Sequence, residues 1–302
     1  MKIFINRALF RLKNDSFINC IKLLFKFIFS KSNKIDLDKL KLQNDLTLNE
    51  IFLTFGTDKG KLDGKKTFYK LTKNLDNKHL FMNYKDWILR KNIQNYNYEL
   101  GLDYVSVYEK FFKKIKNDKL NILEIGVAGG HSHASWYKYF INSDIYGIDI
   151  RPKENLLYIG KRLHYFQLNC TSPKEIEKFK SNNKIQFDII IDDSLHDYEG
   201  FIGNIINFFS MVKPGGHYFL EDFKRKDERL TNMRNYNEKY GKLLMGYYLT
   251  MKEIFQKLSN KETFEYSYFS KDQQERLHQN IEKIDLFYPE HPSASLAVIK
   301  KK

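Results

Sequence analysis

Asn121-Ile122-Leu123-Glu124-Ile125-Gly126-Val127-Ala128-Gly129-Gly130 is a short apolar run that breaks into small residues and leads to a helical stretch through Ser135–Phe140. A run of that length closed by glycines predicts a strand, a tight turn and a helix, in that order. Glycines let the backbone turn sharply and approach a ligand, and the helix that follows offers unpaired N–H groups at its start.

The same alternation continues along the chain. Ile145–Ile150 reads as a second strand ending near Asp149, His164–Leu168 as a third, and Phe187–Ile191 as a fourth, closed by Asp192-Asp193. A helix through Phe201–Met211 leads to a turn at Lys213-Pro214-Gly215-Gly216 and a fifth strand, His217–Leu220, ending at Glu221-Asp222. Beyond a polar, Tyr-rich helical stretch (Asp227–Leu258), Thr263–Phe269 and Ser293–Ile299 read as two closing strands. Nearly continuous apolar strands separated by helices define an α/β protein with a mostly parallel sheet buried on both faces. Acids stand at the carboxyl ends of those strands, where open α/β sheets bind ligands.

The chain has 302 residues, 42% of them apolar, enough to bury a sizeable core. Two cysteines, Cys20 and Cys170, exclude a disulfide framework and a paired-cysteine zinc site. The expected compartment is therefore a reducing one, the cytoplasm, at the inner face of the membrane if the N-terminus docks there. The net charge of +14 raises the question of a polyanionic partner. Half of it comes from residues 1–34, where Lys2, Arg7, Arg11, Lys13, Lys22, Lys26, Lys31 and Lys34 face Asp15 alone. No nucleic-acid-binding motif accompanies the charge, and no nucleic-acid partner is expected. Within that segment Ile3–Phe10 and Phe17–Phe29 are too short and too charged to span a bilayer. Two readings stay open: an amphipathic helix packing on the protein or on a partner subunit, and a basic helix lying on an anionic membrane surface. The organisation expected is a helical N-terminal extension (1–45), a helical cap with an insertion (46–118) and a catalytic domain (119–302).

Glu124, Gly126 and Gly130 fit E-x-G-x-x-x-G after a first strand. Asp149 ends the next strand, about 20 residues on, where an acid can accept both hydroxyls of a ribose. A carboxylate at Glu124 would repel a pyrophosphate and suits a cationic amino group. Here the sequence resembles the class I S-adenosylmethionine-dependent methyltransferases. Within them it is most similar to the metal-dependent sugar O-methyltransferases of macrolide and surface-polysaccharide pathways. The likeness runs from Phe55 to Asp222 plus the last strand. It rests on Gly56-Thr57-Asp58-Lys59, Tyr104 with Tyr108-Glu109, Leu123–Gly130 with Trp136, Tyr146–Ile150, Asp192-Asp193-Ser194-Leu195-His196, and Pro214-Gly215-Gly216 through Glu221-Asp222. The chain departs from the family at Leu102, where a histidine is usual, and at Leu168-Asn169-Cys170, where Gly-Asp-Gln is usual. The stretch between Lys59 and Tyr104 is also longer, which predicts an inserted lid or acceptor-binding piece.

The resemblance implies a Rossmann-like fold with seven strands and helices on both faces. It implies S-adenosyl-L-methionine at Asp58, Lys59, Tyr104, Glu124, Gly126, Gly130, Asp149, Asn169 and Asp192. Asp192 is read as a hydrogen-bonding or capping residue, not a metal ligand. Carboxylates converging on one sheet end repel unless a cation or protons neutralise them, and a hard divalent ion, Mg²⁺ or another, suits oxygen ligands. In the family the positions of Asp193, Glu221 and Asp222 hold the metal and that of His196 is the base; His131, His133 and His217 are read as packing or local hydrogen-bonding residues. The reaction implied is O-methylation of a sugar hydroxyl, on a small-molecule or nucleotide-linked acceptor, in polysaccharide or glycoconjugate synthesis, by a monomer or a homo-oligomer. Two alternatives remain: a small phosphorylated or aglycone acceptor, and a non-catalytic membrane-associated scaffold in glycan assembly.

Overall fold

The computed structural model describes residues 34–42, 45–61, 102–224, 249–289 and 294–302. Asp36–Lys302 forms one compact unit. The helix expected in 1–34, the insertion between Lys59 and Tyr104, and most of the Tyr-rich stretch after Asp227 lie outside the described residues. The main elements are α1 (Leu48–Phe55), α2 (Val105–Phe112), β1 (Asn121–Ile125), α3 (His131–Tyr139), β2 (Asp144–Asp149), β3 (Leu163–Gln167), α4 (Pro173–Asn182), β4 (Phe187–Asp192), α5 (Tyr198–Phe208), β5 (Val212–Glu221), α6 (Met251–Ser259), α7 (Lys271–Asn280), β6 (Ile281–Phe287) and β7 (Leu296–Lys301). None of the described helices is long and apolar enough to cross a membrane.

The strands form one seven-stranded sheet in the order β3-β2-β1-β4-β5-β7-β6. Only β7 runs against its neighbours, pairing antiparallel with both β5 and β6. Period-2 alternation sends side chains to two separate cores. Leu123, Ile125, Ile190, Tyr218, Leu220 and Ile299 join Phe179, Phe201, Phe208, Ile254, Phe255 and Leu277 under α4–α7. On the other face Phe219 meets an aromatic box of Tyr108, Phe112 and Trp136 supplied by α2 and α3, with Phe52 of α1 edge-on to Trp136. Local caps fix the helix starts. Thr47 and Glu50 form a capping box on α1, which ends at Gly56 with φ 70°, and Ser172 caps α4 ahead of Pro173.

Six predicted strands, Ser293–Ile299 at the C-terminus among them, coincide with observed ones within a few residues, and two expectations are corrected. Lys213–Gly216 is not a turn before β5 but an excursion within it: pairing jumps from Phe187–Val212 to Ile189–His217, so four residues of β5 stand against Asp188 alone, an excess of three. Thr263–Phe269 is not a strand. Its polar backbone is satisfied by the buried Gln274 side chain, which accepts from Phe264 N (2.9 Å) and donates to Phe264 O (2.9 Å) and Phe269 O (2.7 Å). The closing strand is Ile281–Phe287, whose Glu282, Lys283 and Asp285 mask its alternation because it is the sheet edge, where charges are exposed. Gln274→Leu strands three buried backbone groups and is expected to cost about 3 kcal/mol or more in urea unfolding; a loss under about 1 kcal/mol would mean that the loop relaxes to water.

Candidate active site

Three strand ends and two helices converge on one cluster. β4 continues into Asp193, whose amide donates to Ile125 O (2.9 Å). β5 ends at Glu221, and Asp222 follows with a left-handed backbone (φ 63°) that turns it out of strand alternation. Both acids can therefore face the same side of the sheet. Lys59, on the loop after α1, is 2% exposed; its Nζ donates to Asp193 Oδ2 (2.6 Å) and to Glu221 Oε2. Tyr108 OH donates to Glu221 Oε1, and Tyr104 OH donates to Asp222 Oδ1 (2.6 Å). His196 is one third exposed, with Nε2 at 3.7 Å from Asp193 Oδ1 and 3.9 Å from Asp222 Oδ2. Its buried Nδ1 has no hydrogen-bond partner, and the ring rests against Phe201.

Burial pushes the Asp193 carboxyl up to about 6 against the pull of Lys59. It raises the Glu221 carboxyl as well, Lys59 again opposing. Burial alone would loosen the Lys59 proton, but the two carboxylates outweigh it and raise the ammonium above its usual range. Burial and the adjacent carboxylates also raise Tyr104 and Tyr108 well above ordinary phenols, so both remain proton donors. One atom from each of Asp193, His196 and Asp222 lies within 4.8 Å of the others, a donor set that fits a small hard cation.

The glycine loop lies beside this cluster. Gly126 has φ 93°, Ala128 φ 52° and Gly130 φ 90°, and a Cβ on Gly126 would stand 2.2 Å from Asp193 O. Asp149 Oδ2 accepts from Ala128 N (2.7 Å) and Oδ1 from Arg151 N (2.9 Å), which fixes the carboxylate while leaving each oxygen a second lone pair. Glu124 is fully buried. Trp136 Nε1 donates to its Oε1 (3.3 Å), while Oε2 has no hydrogen-bond partner although His133 Nδ1 stands 3.3 Å away. An orphaned buried carboxylate oxygen beside a glycine loop fits a cationic ligand group.

Several expected positions are placed elsewhere. Lys59 and Tyr104, expected at the cofactor, sit in the acid cluster. Glu221, expected as a metal ligand, has both oxygens engaged by Lys59 and Tyr108. Asp192 points to the opposite face, under α5, and accepts from Tyr218 OH (2.6 Å), Ser194 Oγ (2.7 Å) and Asn204 Nδ2. Asn169 caps its own turn, accepting from Thr171 N (3.0 Å) and Oγ1 (2.8 Å). Asp58 lies on the Lys59 loop, its carbonyl accepting from Leu102 N (2.9 Å). His131 bonds Phe55 O (2.8 Å), and His217 packs on Phe111. Tyr108 is a site residue the sequence reading left without a role; its i+4 spacing from Tyr104 was the available signal.

No protein-family model matches the chain. Over 122 residues, 38% of this chain and 30% of the relative, it is 30% identical to the mycinamicin VI 2''-O-methyltransferase of Micromonospora griseorubida. Over 123 residues, 38% and 30% of the two chains, it is 30% identical to the demethylmacrocin O-methyltransferase of Streptomyces fradiae. A rhamnosyl tetracenomycin-C 2'-O-methyltransferase of Streptomyces olivaceus is 28% identical over 128 residues, 40% and 33% of the two. The matched stretch thus spans about a third of each of these relatives. The solved structure of the MycE methyltransferase of the mycinamycin biosynthetic pathway, in complex with Mg, SAH and mycinamycin VI, superposes with a TM-score of 0.55 at 18% identity, covering 85% of this chain and 55% of that one. The fold is that of the Rossmann-like methyltransferases. In a methyltransferase fold of this strand order the order reverses between β1 and β4, and the crevice at such a switch point is the ligand site. Gly126, Asp193 and His196 all stand there, which makes the cluster the methyltransferase fold's candidate active site.

Proposed function

We propose that this protein is an S-adenosylmethionine-dependent, divalent-metal-assisted O-methyltransferase acting on a sugar hydroxyl. The observation that carries this is the meeting of Asp193, His196 and Asp222 within 4.8 Å beside a glycine loop held by Asp149. The likeness to sugar O-methyltransferases of macrolide and tetracenomycin pathways supports the acceptor class. A small-molecule or nucleotide-linked sugar, in glycan or glycoconjugate synthesis, is the acceptor this reading names.

Gly126–Gly130 would seat the cofactor, Asp149 would accept from its ribose hydroxyls, and the free Oε2 of Glu124 would take its amino group. When bound, S-adenosylmethionine would supply a methyl group on a sulfonium, and a divalent ion held by Asp193 and Asp222 would supply Lewis acidity toward the acceptor hydroxyl. His196 Nε2, facing both carboxylates, would take the proton of the acceptor hydroxyl, whose oxygen would gain the methyl group as S-adenosylhomocysteine leaves. The aromatic box beneath the cluster keeps water from that face of the sheet.

The direct test is methyl transfer from labelled S-adenosylmethionine to a panel of nucleotide-linked and free glycosides, with S-adenosylhomocysteine as co-product. Transfer to no sugar, with transfer to phosphorylated or aglycone acceptors, would replace this acceptor class. Asp149→Ala is expected to weaken cofactor binding by about 1.5–3 kcal/mol, the worth of hydrogen bonds to a charged group, as read by calorimetry. Unchanged affinity would remove Asp149 from the cofactor site.

A further inference from the structure

At the opposite edge of the sheet from the acid cluster, the C-terminal turn of α4, α7 and the end of β7 border a groove of about 560 Å³. Strand register gives the separation: Leu296 of β7 pairs with Glu221, and Lys301, which lines the groove, stands at the far end of the same strand, about 17 Å away at the usual rise per residue. Lys180, Arg276 and Lys301 line the groove, and no Asp or Glu does. Lys301 Nζ is fixed in place by donating to Ser210 O (3.0 Å) and Val212 O (2.6 Å), which leaves one of its three N–H groups unused. The side chains of Lys180 and Arg276 make no hydrogen bond or ion pair among the described residues. Lys180 is half-buried all the same: burial pulls its ammonium below the usual range, and Glu177, one turn back on α4, opposes this without reaching ion-pair distance.

A cation near the last turn of a helix can simply answer the helix dipole, and an ammonium in water does that as well as a buried one. The dipole therefore does not account for Lys180, whose charge is partly desolvated beside two other cations with no acid in the groove to offset the cost. Like charges around one concavity are stabilised by an anion between them, and Lys and Arg together are suited to phosphate. The groove lies in the size range of small-molecule sites and is larger than a diphosphate alone requires. Its remaining wall includes the apolar Leu277 and the Asn207 amide, surfaces that suit a base and a sugar. We infer that this groove is a binding site for a nucleoside diphosphate, with the diphosphate among Lys180, Arg276 and Lys301 and the nucleoside against Leu277 and Asn207. The site is separate from the methyl-transfer cluster and goes beyond the function proposed above, since a ligand held here leaves the cofactor loop and the acid cluster open.

The test is calorimetric titration of the full chain with uridine diphosphate, pyrophosphate and uridine, at low ionic strength and without divalent ions, so that the acid cluster cannot recruit phosphate through a metal. Uridine diphosphate lacks the adenosine of S-adenosylmethionine and so does not compete for the cofactor loop. One equivalent is expected to bind, more tightly than pyrophosphate and far more tightly than uridine. Lys180→Gln and Arg276→Gln are each expected to weaken binding by about tenfold or more, the worth of a hydrogen bond to a charged group, with S-adenosylmethionine affinity unchanged. Lys271→Gln removes an exposed charge of α7 outside the groove and is expected to change little. The inference is overturned if uridine diphosphate does not bind at millimolar concentration, or if pyrophosphate binds as tightly as it does. It is also overturned if Lys271→Gln weakens binding as much as the two groove variants do, which would mark attraction to net charge alone.

Discussion

Chelation with EDTA is expected to abolish turnover and added Mg²⁺ to restore it, while cofactor affinity changes little. On the proposed reading the two subsites are separate: Asp149 and the glycine loop would hold the cofactor and Asp193 and Asp222 the ion, with Gly126 packed against the Asp193 backbone between them. His196→Ala is expected to lower turnover by about 10²–10⁴-fold, the range for a positioned general base. Mn²⁺ affinity in that variant distinguishes the roles open to an imidazole 3.7 Å and 3.9 Å from two carboxylate oxygens. Retained affinity with lost turnover identifies the base, whereas a parallel fall in both makes His196 a ligand. Full activity in chelator, with Asp222→Ala equally active, would return these acids to structural ion pairs.

Gly126→Ala is expected to destabilise the protein by about 3–5 kcal/mol, at the upper end for a single substitution. Two costs combine. At φ 93° an L side chain is strained, and its Cβ would stand 2.2 Å from Asp193 O, 2.7 Å from Asp193 C and 2.8 Å from Ser194 Cα. These are backbone atoms, so no side chain can move aside. Relief requires separating the ends of β1 and β4, which also bond through Asp193 N to Ile125 O. The same shift carries the Asp193 carboxylate away from Lys59 and His196, so activity should fall further than stability alone explains. Urea unfolding checks the first and turnover at saturating Mg²⁺ the second. A variant within about 1 kcal/mol of the wild type would show that the loop can adopt another path.

Much of this was legible in the chain itself. Continuous apolar runs between helical stretches mark strands buried on both faces, and each of the five parallel strands was visible for that reason. Ile281–Phe287 was not, because at an exposed edge strand the burial pattern that marks a strand is overwritten by charge. Thr263–Phe269 was misread because its aromatic alternation is the pattern of a strand, while its backbone partner is a glutamine from a later helix, which no local pattern can reveal. The acids at 192–193 and 221–222 could be seen to end strands, but their facing could not. Asp192 and Asp193 fall on opposite sides of the sheet by period-2 alternation, whereas Glu221 and Asp222 share a side because Asp222 adopts φ 63°.

The amino-acid sequence by itself determined the succession of apolar strands and helices of an α/β protein, the glycine loop, and the set of acids and histidine that follow the strands, because periodicity and turn chemistry are local. Only the tertiary structure decided how those groups are shared out. Lys59 and Glu221 are 162 positions apart and Tyr108 and Glu221 113 apart. Charge and hydrogen-bond partners at such separations are chosen by which elements fold over one another, and so the carboxylate oxygens left free at this site could be counted only once the sheet had closed beneath α1, α2 and α3.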